Sequence, residues 1–507
     1  MSHLSPDEPT RERSSRPIWI LTFALLMLIG IAGAGFALVT SRQSTSVPQV
    51  SASANHEVAA AAPVTTAPSL PQEITNPATR QNSIERLLRD RADALLLGDV
   101  SSWSDEQVLD AAVPDFTSIH KLAPVSFEYS VTSITSSGDP TQAAVSALIR
   151  YRLPMDAAAA TFREDLALQH TDTGWRIVSE HSIGRKPVWE LGSISQLIGK
   201  HVTVIGIDQT PATLQRYASI ADAVIPDVTR AWGSDWAQRL IIVVPKTIQQ
   251  VETGLGRSVE SLRDIAAVTS METASGDQGS PRIWLNTPTM QGLSSLGREI
   301  VLRHEVVHVA TGSGSTDATP LWLEEGLAEY IGYENTGVSR VVAAGDAIDA
   351  LRDGHKFTAL PTSDDFSGAG LAIAYEGALI ACDELADDGG LASLVKTYRL
   401  TAQGTGSSDE NVAAAIHQIY GLSLDEFIVH WNARLHQLAG LPFTQEEALD
   451  AQSSAEPSST SSMQPSSTPT ARPSARPTSQ PTSQPTSQPT VRSSASPSTQ
   501  PPSQSSG

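Results

Sequence analysis

The chain has 507 residues, with 34 Lys and Arg against 55 Asp and Glu, a net charge of −21 and one cysteine. That length allows two or three folded domains. An acidic balance of this size has the wrong sign for a nucleic-acid partner, and a lone cysteine excludes an intramolecular disulfide.

From the N-terminus, residues 18–39 form an uncharged, mostly apolar run of 22 residues, long enough to span a bilayer. Arg11, Arg13 and Arg16 precede it closely and only Arg42 follows closely. The positive-inside bias therefore predicts a single-pass anchor in the cell membrane, with residues 1–17 cytoplasmic and the remainder extracytoplasmic. A cleaved signal peptide is the alternative, since Ala32-Gly33-Ala34 resembles a cleavage site; the length of the apolar run favours the anchor. Residues 43–80 are rich in Ser, Ala, Thr and Pro and read as a linker that cannot build a core.

Residues 81–190 read as a small α+β domain. An amphipathic helix over 84–97 is followed by strand-like runs at 127–131, 143–153, 162–169 and 175–178. Helix first, then antiparallel strands closing on a Gly-Trp-x-Ile segment, resembles the NTF2-like domains. His170 and His181 are isolated, no catalytic cluster is present, and the domain reads as a spacer or recognition module. Residues 195–440 read as the catalytic domain. Strands are expected at 202–206 and 239–245 around a helix at 211–232, and a short strand at 282–286 lies directly upstream of a helix over 298–310. From 295 onward the chain reads as mostly helical. Residues 452–507 are dominated by Pro, Ser, Thr and Gln, with Pro-Thr-Ser-Gln repeated from 477, 481 and 485, and read as a disordered tail.

The helix over 298–310 carries His304-Glu305-Val306-Val307-His308. Histidines at i and i+4 share a helical face, so two imidazoles can converge on one metal ion. Glu305 lies beside that face, where it can take a proton from the attacking water. Downstream comes Thr319-Pro-Leu-Trp-Leu-Glu-Glu-Gly-Leu-Ala-Glu-Tyr330. Thr319 is the expected N-cap and Pro320 the first residue of a second helix, which brings Glu324 and Glu325 into its first turns. Two His and one Glu with an open fourth position is the ligand set of a catalytic zinc site. Glu329, one turn beyond Glu325, is placed to accept a hydrogen bond from a ligand histidine.

H-E-x-x-H followed by W-L-x-E-G-L-A-E-Y resembles the gluzincin metallopeptidases, in particular the peptidase MA-like families. The likeness is sharp over about 30 residues and weaker over roughly 195–440. It implies an α+β zincin-like fold, a sheet-containing half with the metal helix and then a helical half, with one Zn2+ per chain. His304 and His308 match the histidine ligands, Glu305 the general base, Glu325 the third ligand and Glu329 the residue orienting the first histidine. The Gly326-Leu-Ala-Glu-Tyr330 segment selects Glu325 over Glu324. The strand at 282–286 matches the sheet edge over the cleft, where an extended peptide is held by strand addition. The G-x-M-E-N strand of the group's aminopeptidases is missing, so aminopeptidase specificity is not implied. Tyr375 matches a tyrosine that can donate to the oxyanion; His355 is a weaker alternative. Cys382, among Ala and Leu, reads as a buried inert thiol. The expected function is a membrane-anchored zinc metallopeptidase acting on a peptide or protein. The alternative is a catalytically silent zincin fold that binds a cell-envelope partner, against which the intact Glu305 stands.

Overall fold

The computed structural model describes residues 71–444, except 105–107, 113, 137, 264, 274–278 and 314–316. The expected membrane span, most of the expected linker and the C-terminal tail lie outside these residues. Among the described residues no helix is long and apolar enough to cross a membrane.

The folded part starts earlier than expected. A short helix at Gln72–Thr75 and α1, Pro77–Leu97, begin within the segment read as linker. The local cause is a cap: the Asn76 side chain accepts from the backbone N–H groups of Ala78 and Thr79, and Pro77 occupies the first turn, where its missing N–H costs nothing. Five strands follow: β1 (Val108–Ala112), β2 (Ser126–Ser136), β3 (Gln142–Arg152), β4 (Ala160–Thr171) and β5 (Gly174–Ile183). They form one sheet in the order β1-β5-β4-β3-β2. β2 to β5 are an antiparallel meander and β1 adds parallel to β5. β3 buries every second residue from Ala143 to Tyr151, as a strand with one covered face must.

The second half opens with β6 (Ile194–Ile198), β7 (Val202–Ile207), α2 (Pro211–Trp232), β8 (Leu240–Pro245), β9 (Ala267–Glu272) and β10 (Ser280–Leu285). These strands form a second sheet, β6-β7-β8-β10-β9. The three central strands run parallel and the outer two antiparallel to them. Helices follow: α3 (Ser295–Thr311), α4 (Leu321–Tyr333), α5 (Gly345–Arg352), α6 (Leu371–Ala402), α7 (Ser408–Tyr420) and α8 (Leu424–Ala439). α6 breaks at Gly390, whose φ of +77° is open to glycine at little cost. The order is thus mixed α+β, with a sheet-containing part and then a helical part.

Two expectations are corrected here. The strand expected at the sheet edge is internal: β10 lies between β8 and β9, and the edge on that side is β9, for which the sequence predicted no strand. Residues 282–285 are all buried, the signature of a strand covered on both faces. The N-terminal sheet, expected as a spacer or recognition module, is also not held apart from the second half as a spacer would be. β7 and β8 are buried along their whole length. Val202, Val204, Leu240, Ile242 and Val244 join the core formed with the helices. Ile205, Ile207, Ile241, Val243 and Trp284, on the other face, join a core with Phe127, Tyr151, Phe162 and Trp189 of the first domain. A buried ion pair fastens the contact: Arg282 of β10 grips both carboxylate oxygens of Asp156, with Nη2 at 2.8 Å from Oδ2. Asp156 also accepts from Ser280 Oγ at 2.5 Å and Leu153 N at 2.7 Å, which satisfies the buried charge.

Candidate metal centre

α3 is buried nearly all round between α2, α4 and β9, so its polar residues are enclosed in the protein interior. Ser294 caps its start by accepting from Gly297 N at 3.0 Å, and Gly312 ends it with a φ of +69°. Arg303 clamps it to the end of α4 by donating to the carbonyls of Gly332 and Glu334, at 3.2 and 3.0 Å. α4 begins at Leu321 with Pro320 as N-cap and no side-chain cap, one residue later than expected; Thr319 does not cap it.

Between these helices the expected residues meet. His304 Nε2 lies 2.8 Å from His308 Nε2, and Glu325 Oε2 is 3.2 and 3.4 Å from the two nitrogens. All three residues are buried, and these atoms form a group able to hold a metal ion. A tetrahedral zinc with ligand bonds of about 2.0–2.1 Å separates its ligand atoms by about 3.3 Å. Two edges of the triangle match that and the third is about half an ångström short. Glu325 Oε2 is buried with no well-aligned hydrogen bond, so its charge needs a cation beside it, either a metal ion or a protonated histidine.

The electrostatics agree. Burial works against a charge on His304, yet the carboxylates of Glu325 and Glu329 outweigh it and push its pKa up to about 10. Burial likewise opposes ionisation of Glu325, and the two histidines still hold its carboxyl below the usual range. The site is therefore built to stabilise positive charge. Glu329 Oε1 stands 2.9 Å from His304 Nδ1, as expected of a residue that orients the ring. Glu305 is buried beside the group and its carboxylate accepts from Thr269 Oγ1 of β9. Burial raises its pKa, with the histidines and Thr269 pulling the other way.

The structure also separates the two adjacent glutamates. Glu324 turns away and its Oε2 accepts from Ser313 Oγ at 2.6 Å, which pins the turn after α3. Gly326 explains how Glu325 arrives. A Cβ there would meet Sγ of Cys382 at 2.7 Å and the carbonyl carbon of Ala378 at 2.9 Å. Only glycine lets α4 lie this close to α6. Cys382 is buried, with a thiol pKa raised by burial, and is a packing residue as expected. Tyr375 is buried with its ring 6.3 Å from that of His304 and 5.1 Å from Phe366. His355 is exposed and stacks edge-on with Phe357; it is not brought to the site. Thr269, Arg303 and Ser313 were missed from the sequence, where each is an ordinary residue with no motif around it.

No family model matches the chain and no curated protein matches it. Among solved structures, a protein of unknown function from Mycobacterium tuberculosis matches at 16% identity over 22% of this chain and 76% of its own, with a TM-score of 0.18. The M1 zinc metallopeptidase of Deinococcus radiodurans matches at 15% identity over 61% of each chain, with a TM-score of 0.30. A variant of that peptidase bound to a Tyr-Ser-Ala substrate matches at 14% identity over 61% of each chain, with a TM-score of 0.29. The chain thus spans about three fifths of the peptidase structures it matches. At TM-scores this low the likeness decides nothing about this chain.

Proposed function

We propose that this chain is a zinc-dependent peptidase that hydrolyses peptide bonds by general-base catalysis. The observation that carries this is the buried His304–His308–Glu325 triangle with Glu305 beside it and outside the ligand set. His304, His308 and Glu325 would hold the ion, with Glu329 fixing the His304 ring. A bound zinc ion supplies Lewis acidity, polarising the scissile carbonyl and lowering the pKa of water to about 7. Glu305 accepts the proton of the attacking water and delivers it to the leaving amine. Tyr375, next to His304, is the donor we assign to the developing oxyanion.

Two further proposals rest on sequence. Residues 18–39 anchor the protein in the cell membrane with the catalytic domain extracytoplasmic, supported by the arginine bias around that run. The first domain is an NTF2-like module, supported by its helix-first, antiparallel order. The silent binding module remains the rival, and one experiment separates them. Wild type should contain one zinc per chain and cleave a peptide library in a chelator-sensitive way. Glu305→Gln should keep the zinc and lose about 100- to 10,000-fold in rate. Bound zinc without chelator-sensitive cleavage of any peptide would favour the binding module.

A further inference from the structure

We infer that Thr269 is the positioning residue for Glu305, and that its hydroxyl holds the glutamate in the orientation proton transfer needs. The inference rests on the peptidase reading above and extends it to the edge strand.

Thr269 sits in the buried half of β9, paired with Ile283 of β10. Its hydroxyl donates to Glu305 Oε2 and lies 3.4 Å from the Glu305 carbonyl oxygen. Among the described residues no other side chain is seen to hydrogen-bond that carboxylate. A glutamate has three side-chain torsions, and a general base must bring one oxygen to about 2.6–3.2 Å from the proton it takes. Helix α3 fixes the Glu305 backbone but not those torsions. Thr269 does, from a strand rather than a loop, and strands and helices hold a site more precisely than loops. The proton balance is simple. The threonine proton stays on Oγ1 and occupies a lone pair of Oε2, which leaves the other carboxylate oxygen to accept the proton of the attacking water and release it to the leaving amine.

A merely structural role is the competing account, in which the hydroxyl ties β9 to α3 through the Glu305 carbonyl. Four variants of the whole chain distinguish them: Thr269→Val, which keeps the shape, Thr269→Ser, which keeps the donor, Glu305→Ala, and Thr269→Val combined with Glu305→Ala. Positioning residues around metal sites typically cost 10- to 100-fold when removed. Thr269→Val should lower kcat by about that factor, with KM and zinc content unchanged, and Thr269→Ser should recover most of it. In the metal-free protein, thermal melting should show the Val effect disappear once Glu305 is Ala. The inference is overturned if Thr269→Val keeps wild-type kcat, if Ser fails to rescue, or if the melting effects of the two sites simply add. A wild type with no chelator-sensitive cleavage would instead overturn the peptidase reading and the role with it, while the melting cycle would still report the contact itself.

Discussion

Replacing Gly326 by Ala adds one methyl group and should cost the protein its metal. The new Cβ would stand 2.9 Å from the Ala378 carbonyl carbon, closer still to the Ala378 oxygen, and 2.7 Å from Cys382 Sγ. Carbon atoms in contact prefer about 3.5–4.0 Å, so α4 and α6 must separate by roughly 0.5–1 Å. Metal ligands tolerate about 0.2 Å. Glu325, the preceding residue on α4, would be carried out of bonding range by several times that tolerance. Overpacking of this kind also destabilises by about 1–3 kcal/mol. The assay is a zinc titration of the metal-free variant against wild type, with a denaturant melt alongside. We expect at least a 10-fold loss of zinc affinity, the lower range for disturbed support of a metal ligand, and a lowered unfolding midpoint. Adding Cys382→Ala should not restore binding, because the nearest obstacle is backbone. Wild-type zinc affinity in Gly326→Ala would refute the reasoning, as would full rescue by the cysteine change.

The two glutamates of α4 give a second test: Glu325→Gln should release zinc, whereas Glu324→Gln should retain it while loosening the Ser313 contact, and metal analysis of both reads the difference. Glu376 gives a pH test. Its carboxylate accepts from Ala347 N at 2.7 Å, and burial pushes its pKa up to about 8 from an ordinary 4.5. A folded pKa above the unfolded one means the folded state binds the extra proton, so stability is full below about 4.5 and is lost as pH rises towards about 8. Glu376→Gln stays neutral and should gain on wild type by a few kcal/mol between those limits; a gap in denaturation midpoint that is constant with pH would defeat this. Finally, the second domain should not survive alone. Removing residues 71–190 uncovers Ile205, Ile207, Ile241, Val243 and Trp284, each worth about 1.5–3 kcal/mol buried. That sum is of the order of a whole domain's stability, about 5–15 kcal/mol, so residues 195–440 should be insoluble or molten, and a sharp cooperative melt would contradict it.

The candidate ligand set and the two helices that carry it were legible in the sequence. His304, Glu305 and His308 share one helix, so their spacing alone fixes which faces they occupy, and the same holds for Glu325 and Glu329. Strands with one covered face, such as β3, showed their alternation directly. What the tertiary structure decided involves residues far apart in the chain. Thr269 meets Glu305 only because α3 packs on β9, and Asp156 meets Arg282 only because two sheets stack. Neither pairing leaves a local period to read. The edge strand was misplaced for a related reason: a run of buried residues says that both faces are covered, not which neighbours cover them. The packing of the N-terminal sheet followed the same rule. β7 and β8 are buried along their whole length, but the partners on their second face, Phe127 and Trp189 among them, come from a separate part of the chain, and only packing could name them.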